Sequence, residues 1–197
     1  MTNIMLDVVR ITLGDDAFEG RNNVYLLDPD NGPTTLIDAG GRELREDLET
    51  GLANHGLELE EIDQVLITHW HPDHAGLAGE IQSASDAVVR AHPDDAALIE
   101  QDPDTWARIE KKRVTRFDQW AIPDGPRTDL ERFFETHDES GGLAPTVEPI
   151  EAADRISIGD TTLEVLALPG HTSGLIGFKT DRTDPELFSS DALLPVY

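Results

Sequence analysis

Residues 68–74 read Thr-His-Trp-His-Pro-Asp-His and follow directly on the apolar run Val65-Leu66-Ile67. No other stretch constrains the chain as much. A buried strand must end here, and His69, His71, Asp73 and His74 must gather within six positions of its end. The whole chain has seven histidines, so three of them in one short loop is not a product of composition. Neutral imidazoles and a carboxylate are the donors that a borderline divalent cation such as Zn²⁺ takes. A solvated polar loop is the plainer alternative, and it gives the clustering no cause. His69 and His71 are two residues apart, so their rings converge on one ion only if the backbone bends between them. Pro72 stiffens that bend by fixing its own φ.

Around this loop the pattern alternates between strand and helix, the mark of an α/β domain. Segments 4–13, 22–28 and 34–38 are β-rich, with Asp28-Pro29-Asp30-Asn31-Gly32-Pro33 as a turn between the last two. Gly40-Gly41 leads into a helical pattern over 42–54, where Leu44, Leu48 and Leu52 recur at spacing four. A strand over 63–68, a helix over 74–84 carrying Leu77 and Ile81, a strand over 87–91 and a short helix after Pro93 follow. Residues 103–138 break the alternation. Trp106, Ile109, Val114, Phe117 and Trp120 fall on one helical face, and Leu130, Phe133 and Phe134 form a second apolar group. This reads as a helical insertion, with a lid or pocket-wall role set against ordinary helix packing. Strands return at 155–158, 161–168, 174–179 and 187–190.

His-x-His-x-Asp-His after a strand resembles the metal-binding signature of the metallo-β-lactamase superfamily. Three further segments match in the family's order: Thr34-Thr35-Leu36-Ile37-Asp38-Ala39-Gly40, Leu168-Pro169-Gly170-His171-Thr172-Ser173-Gly174 and Leu187-Phe188-Ser189-Ser190-Asp191. The match runs from about Asn22 to Asp191. The resemblance implies an αββα sandwich of two sheets flanked by helices, as one domain over 1–197. It assigns His69, His71 and His171 to one metal, Asp73 and His74 to a second, and Asp191 as the bridge between them. Zn²⁺ is the expected ion, one or two per chain, with Fe or Mn as alternatives. Two ions about 3.5–4 Å apart can share a hydroxide and polarise a carbonyl or phosphoryl oxygen. Asp73 is then the expected catalytic residue as well as a ligand, orienting that hydroxide or taking a proton. Asp38 resembles the family's carboxylate behind the metal loop, with a polar strand-end cap as the alternative reading. Trp70 reads as a pocket wall or as packing beneath the loop. His55, His92 and His137 match no metal motif.

Composition narrows the setting. Forty acidic residues against 15 basic ones give a net charge of −25, a self-repulsion tolerable in concentrated salt. An acidic surface with three lysines (Lys111, Lys112 and Lys179) suggests a halophilic, salt-adapted protein. The charge disfavours nucleic acid as a partner. With no cysteine, disulfides, thiolate ligands and a cysteine nucleophile are excluded. No secretory signal is visible near Met1-Thr2-Asn3-Ile4, and no apolar run approaches membrane-spanning length, so the expectation is a cytoplasmic protein acting on a small molecule, with a homo-oligomer possible in principle.

The chain departs from the family at its end. Tyr197 lies six residues after Asp191, and no histidine follows His171 to supply the family's last ligand on the second metal. The expectation is therefore a fragment, with the second sheet incomplete, apolar Leu193, Leu194 and Val196 at the break, and a second metal held less tightly than the first. The functional expectation is a metal-dependent hydrolase of a thioester or lactone-like ester. The Pro-Gly-His-Thr-x-Gly loop is similar to thioester hydrolases related to hydroxyacylglutathione hydrolase and to lactonases. Having both Asp73 and His74 argues against the antibiotic-degrading branch. The alternatives are a catalytically weak metal-binding or oligomerising module, or a hydrolase of phosphodiesters.

Overall fold

The computed structural model describes residues 7–14, 21–136 and 142–193. His137, Leu194, Val196, the last residues of the insertion and the first residues of the first strand lie outside them.

The first sheet has six strands in sequence order: β1 (Val8–Leu13), β2 (Asn22–Leu27), β3 (Thr35–Ile37), β4 (Gln64–Leu66), β5 (Val88–Ala91) and β6 (Val147–Pro149). β1, β2 and β3 pair antiparallel, and β3 to β6 run parallel. The parallel steps need crossovers, which α1 (Arg45–Ala53), α2 (Pro72–Ala75) and α3 (Ala78–Ser85) provide for the first two. Between β5 and β6 come α4 (Pro93–Ile99), α5 (Pro103–Gln119) and α6 (Asp124–Thr136). The second sheet is antiparallel, in the order β10-β9-β8-β7, from β7 (Arg155–Ile158), β8 (Thr161–Ala167), β9 (Ile176–Thr180) and β10 (Leu187–Phe188).

Side-chain alternation along the strands divides the core in two. Leu26, Leu36, Val65 and Ile67 face Leu48, Leu52, Ile81 and Ile99 of the helices. Their neighbours Leu27, Ile37 and Leu66 face the other way, onto Ile158, Leu163, Val165, Ile176, Phe178 and Phe188 of the second sheet. Leu66 is fully buried there, and truncating it to alanine should cost about 2–5 kcal/mol. The layers among the described residues are helix, sheet, sheet. Three layers of the expected αββα sandwich are therefore present, with its fourth, helical layer not represented in them. No helix among the described residues is long and apolar enough to cross a membrane.

Several elements differ from the sequence reading. The helix expected over 74–84 is broken into α2 and α3 at Gly76. Leu77 N–H donates to Gly40 C=O (3.1 Å), leaving the helical ladder, and a Cβ on Gly76 would lie 2.4 Å from Pro72 C=O. The expected helix at 42–54 opens with a tighter turn at Arg42–Leu44 before α1. β6 had no signal in the sequence, since Val-Glu-Pro is too short and too exposed to show a period. The strand expected at 187–190 stops at Phe188, because Ser190–Ala192 turns back as one 3₁₀ turn towards β4. The insertion is two helices, with Ala121 in a left-handed conformation (φ 49°) between them. Trp120 leaves the shared apolar face and is 66% exposed, while Phe117 is buried.

Candidate metal centre

The parallel strands end at the same edge of the first sheet, and the loops leaving β3 and β4 there carry Asp38 and His69 to His74, while His171 and Asp191 come from the second sheet, after β8 and β10. Ile67 N–H still pairs with Arg90 C=O (2.8 Å), so the backbone stays strand-like up to Thr68. Thr68 is then clamped by Asp38: its N–H donates to Oδ1 (2.8 Å) and its hydroxyl to Oδ2 (3.0 Å). Thr68 C=O accepts from Ile176 N–H (3.0 Å), which ties the second sheet to the same point. His69 follows, with no exposed surface. The bend lies at His71, which is extended (φ −60°, ψ 145°) and caps α2, with Pro72 as its first residue. A proline is suited to that position because its missing N–H has no partner there anyway. Asp73 and His74 therefore sit in the first turn of α2.

The structure brings all six sequence-selected residues together. One donor atom from each of His69, His71, His171 and Asp191 lies within 4.8 Å of the others. His71 Nδ1 and His171 Nε2 are 2.8 Å apart. The other face holds His74, whose Nε2 is 3.3 Å from Asp73 Oδ2 and 3.4 Å from Asp191 Oδ1. Asp191 Oδ2 is 3.3 Å from His171 Nε2. The two oxygens of Asp191 thus point to different histidines, one in each donor set. His69 Nε2 is buried without a hydrogen-bond partner, and His74 Nε2 is buried with only the Asp73 and Asp191 carboxylates near it, at 3.3 and 3.4 Å. Buried polar nitrogens are costly to leave unsatisfied, and both are aimed into the centre. This donor set of imidazole nitrogens and carboxylate oxygens fits a divalent cation of the zinc type.

Electrostatics agree with that fit. Burial, reinforced by the neighbouring His74 and His71 rings, pushes His69 down to about 2. Burial and His171 lower His71 to about 4, so both are neutral and able to bind metal at pH 7. Burial opposes a proton on His74, yet the surrounding Asp38, Asp191 and Asp73 raise it well above 6.5. Burial would raise Asp73 too, but His74 and Asn22 hold it far below the usual carboxylate range. Asp191 is lowered, first by its pairing with His74. A cavity that concentrates three carboxylates around one imidazole holds a proton where it could hold a cation.

Other residues complete the centre. Asp38, left open between two roles by the sequence, lies behind the loop and accepts from His74 Nδ1 (2.8 Å) as well as from Thr68. Asn22 donates to Asp73 Oδ2 (2.8 Å). Ser190 Oγ lies 2.9 Å from Thr68 Oγ1 and 3.5 Å from His69 Nδ1. Asp95 joins the two histidine loops. The sequence reading passed over Asn22, Ser190 and Asp95, and no local pattern marks them. Trp70 packs edge-on against His71 and Trp106, with ring centroids 4.4 and 5.5 Å away. It also lines a narrow crevice with Arg42, Pro72 and Leu98. Helix packing therefore accounts for the base of the insertion. His92 accepts from Asp94 N–H at the start of α4, a capping role away from the metal ligands.

A family profile for the metallo-β-lactamase superfamily matches residues 17–196. A probable metallo-hydrolase of Bacillus subtilis (strain 168) is 41% identical over 73 residues, 36% of this chain and 22% of its own. A hydroxyacylglutathione hydrolase of Polaromonas sp. is 27% identical over 175 residues, 88% of this chain and 48% of its own. The crystal structure of a subclass B3 metallo-β-lactamase of Bradyrhizobium japonicum superposes with a TM-score of 0.62 at 20% identity, covering 94% of this chain and 59% of that one. The last likeness is one of fold alone. The chain thus spans 22% and 48% of the length of these two curated relatives and 59% of that of the solved structure.

Proposed function

Because the chain belongs to the metallo-β-lactamase superfamily, whose members are metallo-hydrolases, we propose that it hydrolyses a thioester or lactone-like ester at a dinuclear, zinc-type centre. The observation that carries this reading is the placement of Asp191, whose two carboxylate oxygens face His171 and His74 respectively. A carboxylate shared in this way suits two ions side by side. His69, His71 and His171 would hold the first, Asp73 and His74 the second. The chemistry supplied by divalent ions bound there is acidification of water and polarisation of an acyl oxygen.

The protein's own part is positioning and proton handling. Asp38 fixes the His74 ring through Nδ1, leaving Nε2 free for the centre. Asn22 holds one oxygen of Asp73, so the carboxylate has a set direction from which to accept a hydrogen bond from the attacking water. Because Asp73 is held well below the usual carboxylate range, it stays ionised at neutral pH and suits that accepting role. His171 is the open side of the centre, with 34% of its side chain exposed, and substrate would approach there. The likeness to a hydroxyacylglutathione hydrolase over 88% of this chain favours a thioester among the acyl substrates.

The test is a screen of thioesters, lactones and phosphodiesters after loading with Zn²⁺, Fe²⁺ or Mn²⁺. Metal-dependent turnover of a thioester or lactone supports the reading. Turnover of phosphodiesters alone, or turnover that survives chelation, would replace it.

A further inference from the structure

Asp95 is not among the metal ligands, yet its carboxylate touches both loops that carry them. It lies in the first turn of α4 and is 2% exposed. Its Oδ2 accepts from Trp70 N–H (3.2 Å) and from the Thr172 hydroxyl (2.7 Å), and its Oδ1 accepts from Gly174 N–H (3.0 Å). Trp70 is the residue between His69 and His71, and Thr172 is the residue after His171. One buried carboxylate therefore holds the neighbours of three ligands that come from opposite ends of the chain. The fit is close on its far side as well, since a Cβ on Gly174 would lie 2.6 Å from Asp95 Cγ.

Such a group is costly to bury. Burial pushes the Asp95 carboxyl up despite the hydrogen bonds from Thr172, Gly174 and Trp70 that act against it. A plain core residue would avoid that penalty, because an apolar side chain of similar volume needs no partners. What the carboxylate adds is a second tie between two loops that, among the described residues, are otherwise joined by the backbone bond from Ile176 N–H to Thr68 C=O at their strand ends (3.0 Å). His71 Nδ1 and His171 Nε2 meet at 2.8 Å across that gap.

We propose that Asp95 is a positioning residue that sets the approach of the His171 loop to the His69–His71 loop and so the geometry of the first metal site. The proposal rests on the metal-centre reading above. Outer groups that orient ligands commonly change metal affinity by about 10- to 100-fold when removed.

Asp95→Asn separates positioning from simple stability. The amide keeps the volume and one acceptor oxygen, but it turns an NH₂ towards groups that are themselves donors, so at least one bond is lost. It also removes a buried ionisable group. The lost bond and the removed charge act in opposite directions on stability, so the metal-free variant should melt close to the wild-type temperature. Its affinity for Co²⁺, used as a spectroscopic stand-in for Zn²⁺, should fall by about tenfold or more. The visible d–d bands of bound Co²⁺ should shift with the changed geometry. Thr172→Val, which deletes one of the same bonds, should shift affinity and spectrum in the same direction. The two changes together should be less than additive.

Wild-type Co²⁺ affinity and spectrum in Asp95→Asn would overturn the proposal. So would an affinity loss that only mirrors a fall in metal-free melting temperature, with Thr172→Val normal. Failure of the wild-type protein to bind Co²⁺ at all would instead sink the metal-centre reading, and this proposal with it.

Discussion

Asp38 accepts a hydrogen bond from His74 Nδ1 at 2.8 Å, and that contact turns His74 Nε2 towards Asp73 and Asp191. Asp38 does this from a left-handed backbone conformation (φ 62°), which aspartate and asparagine tolerate better than most residues. Asp38→Asn should therefore fold, while losing the charge that faces His74. Its affinity for the second metal is expected to drop by about 10- to 100-fold, with the first site less affected. Asp38→Ala should be worse, because the buried Thr68 N–H loses its acceptor at a cost of about 1–3 kcal/mol. Metal titration of the two variants, with thermal melts, checks this order. Equal second-site affinity in Asp38→Asn and wild type would contradict it.

The histidines predict a pH optimum for the stability of the metal-free protein. His69 and His71 have folded values below 6.5, so as pH falls through 6.5 the unfolded chain takes up protons that the folded one refuses, and stability drops. His74 is raised, so its contribution is complete below 6.5 and is lost as pH climbs through its folded value. Asp73 and Asp191 are lowered, and their contribution disappears when pH falls below the ordinary carboxylate range of about 4. The melting temperature of the metal-free protein should peak near about pH 6.5 and decline on both sides. Metal held by His74 would take the place of its proton, so the alkaline decline should vanish in the loaded protein. A metal-free melting curve flat between pH 5 and 8 would contradict this assignment of charges.

Salt should stabilise the chain. With a net charge of −25, repulsion weakens as the Debye length falls from about 10 Å at 0.1 M towards 3 Å at 1 M. Melting temperatures should rise between low and molar potassium chloride. A melting temperature that is flat or falls over that range would remove the case for a salt-adapted protein.

The parts of the centre that the sequence revealed are those whose chemistry is contiguous. His69, His71, Asp73 and His74 share one loop, and His171 and Asp191 sit in short motifs at strand ends. The roles of Asn22, Asp95 and Ser190 left no trace, because each acquires its role from residues 25 to 122 positions away. The same distinction holds for the fold. Leu48, Leu52 and Ile81 gave helices by their spacing, and all three are fully buried. The break at Gly76 depends on Gly40 from another element, so no local pattern could announce it. Trp120 was placed on the apolar face by periodicity alone, and the turn at Ala121 takes it out to solvent.

The proposed centre requires these six side chains to hold metal, with the first site anchored by His69, His71 and His171. Elemental analysis of purified, Zn²⁺-loaded wild type beside His69→Ala/His71→Ala tests it most directly, with circular dichroism to confirm that both are folded. The wild type should retain one tightly held ion per chain and a second, weaker one at Asp73, His74 and Asp191. The double variant should lose the tight ion. Unchanged metal content in a folded double variant would show that His69 and His71 do not hold the tight ion.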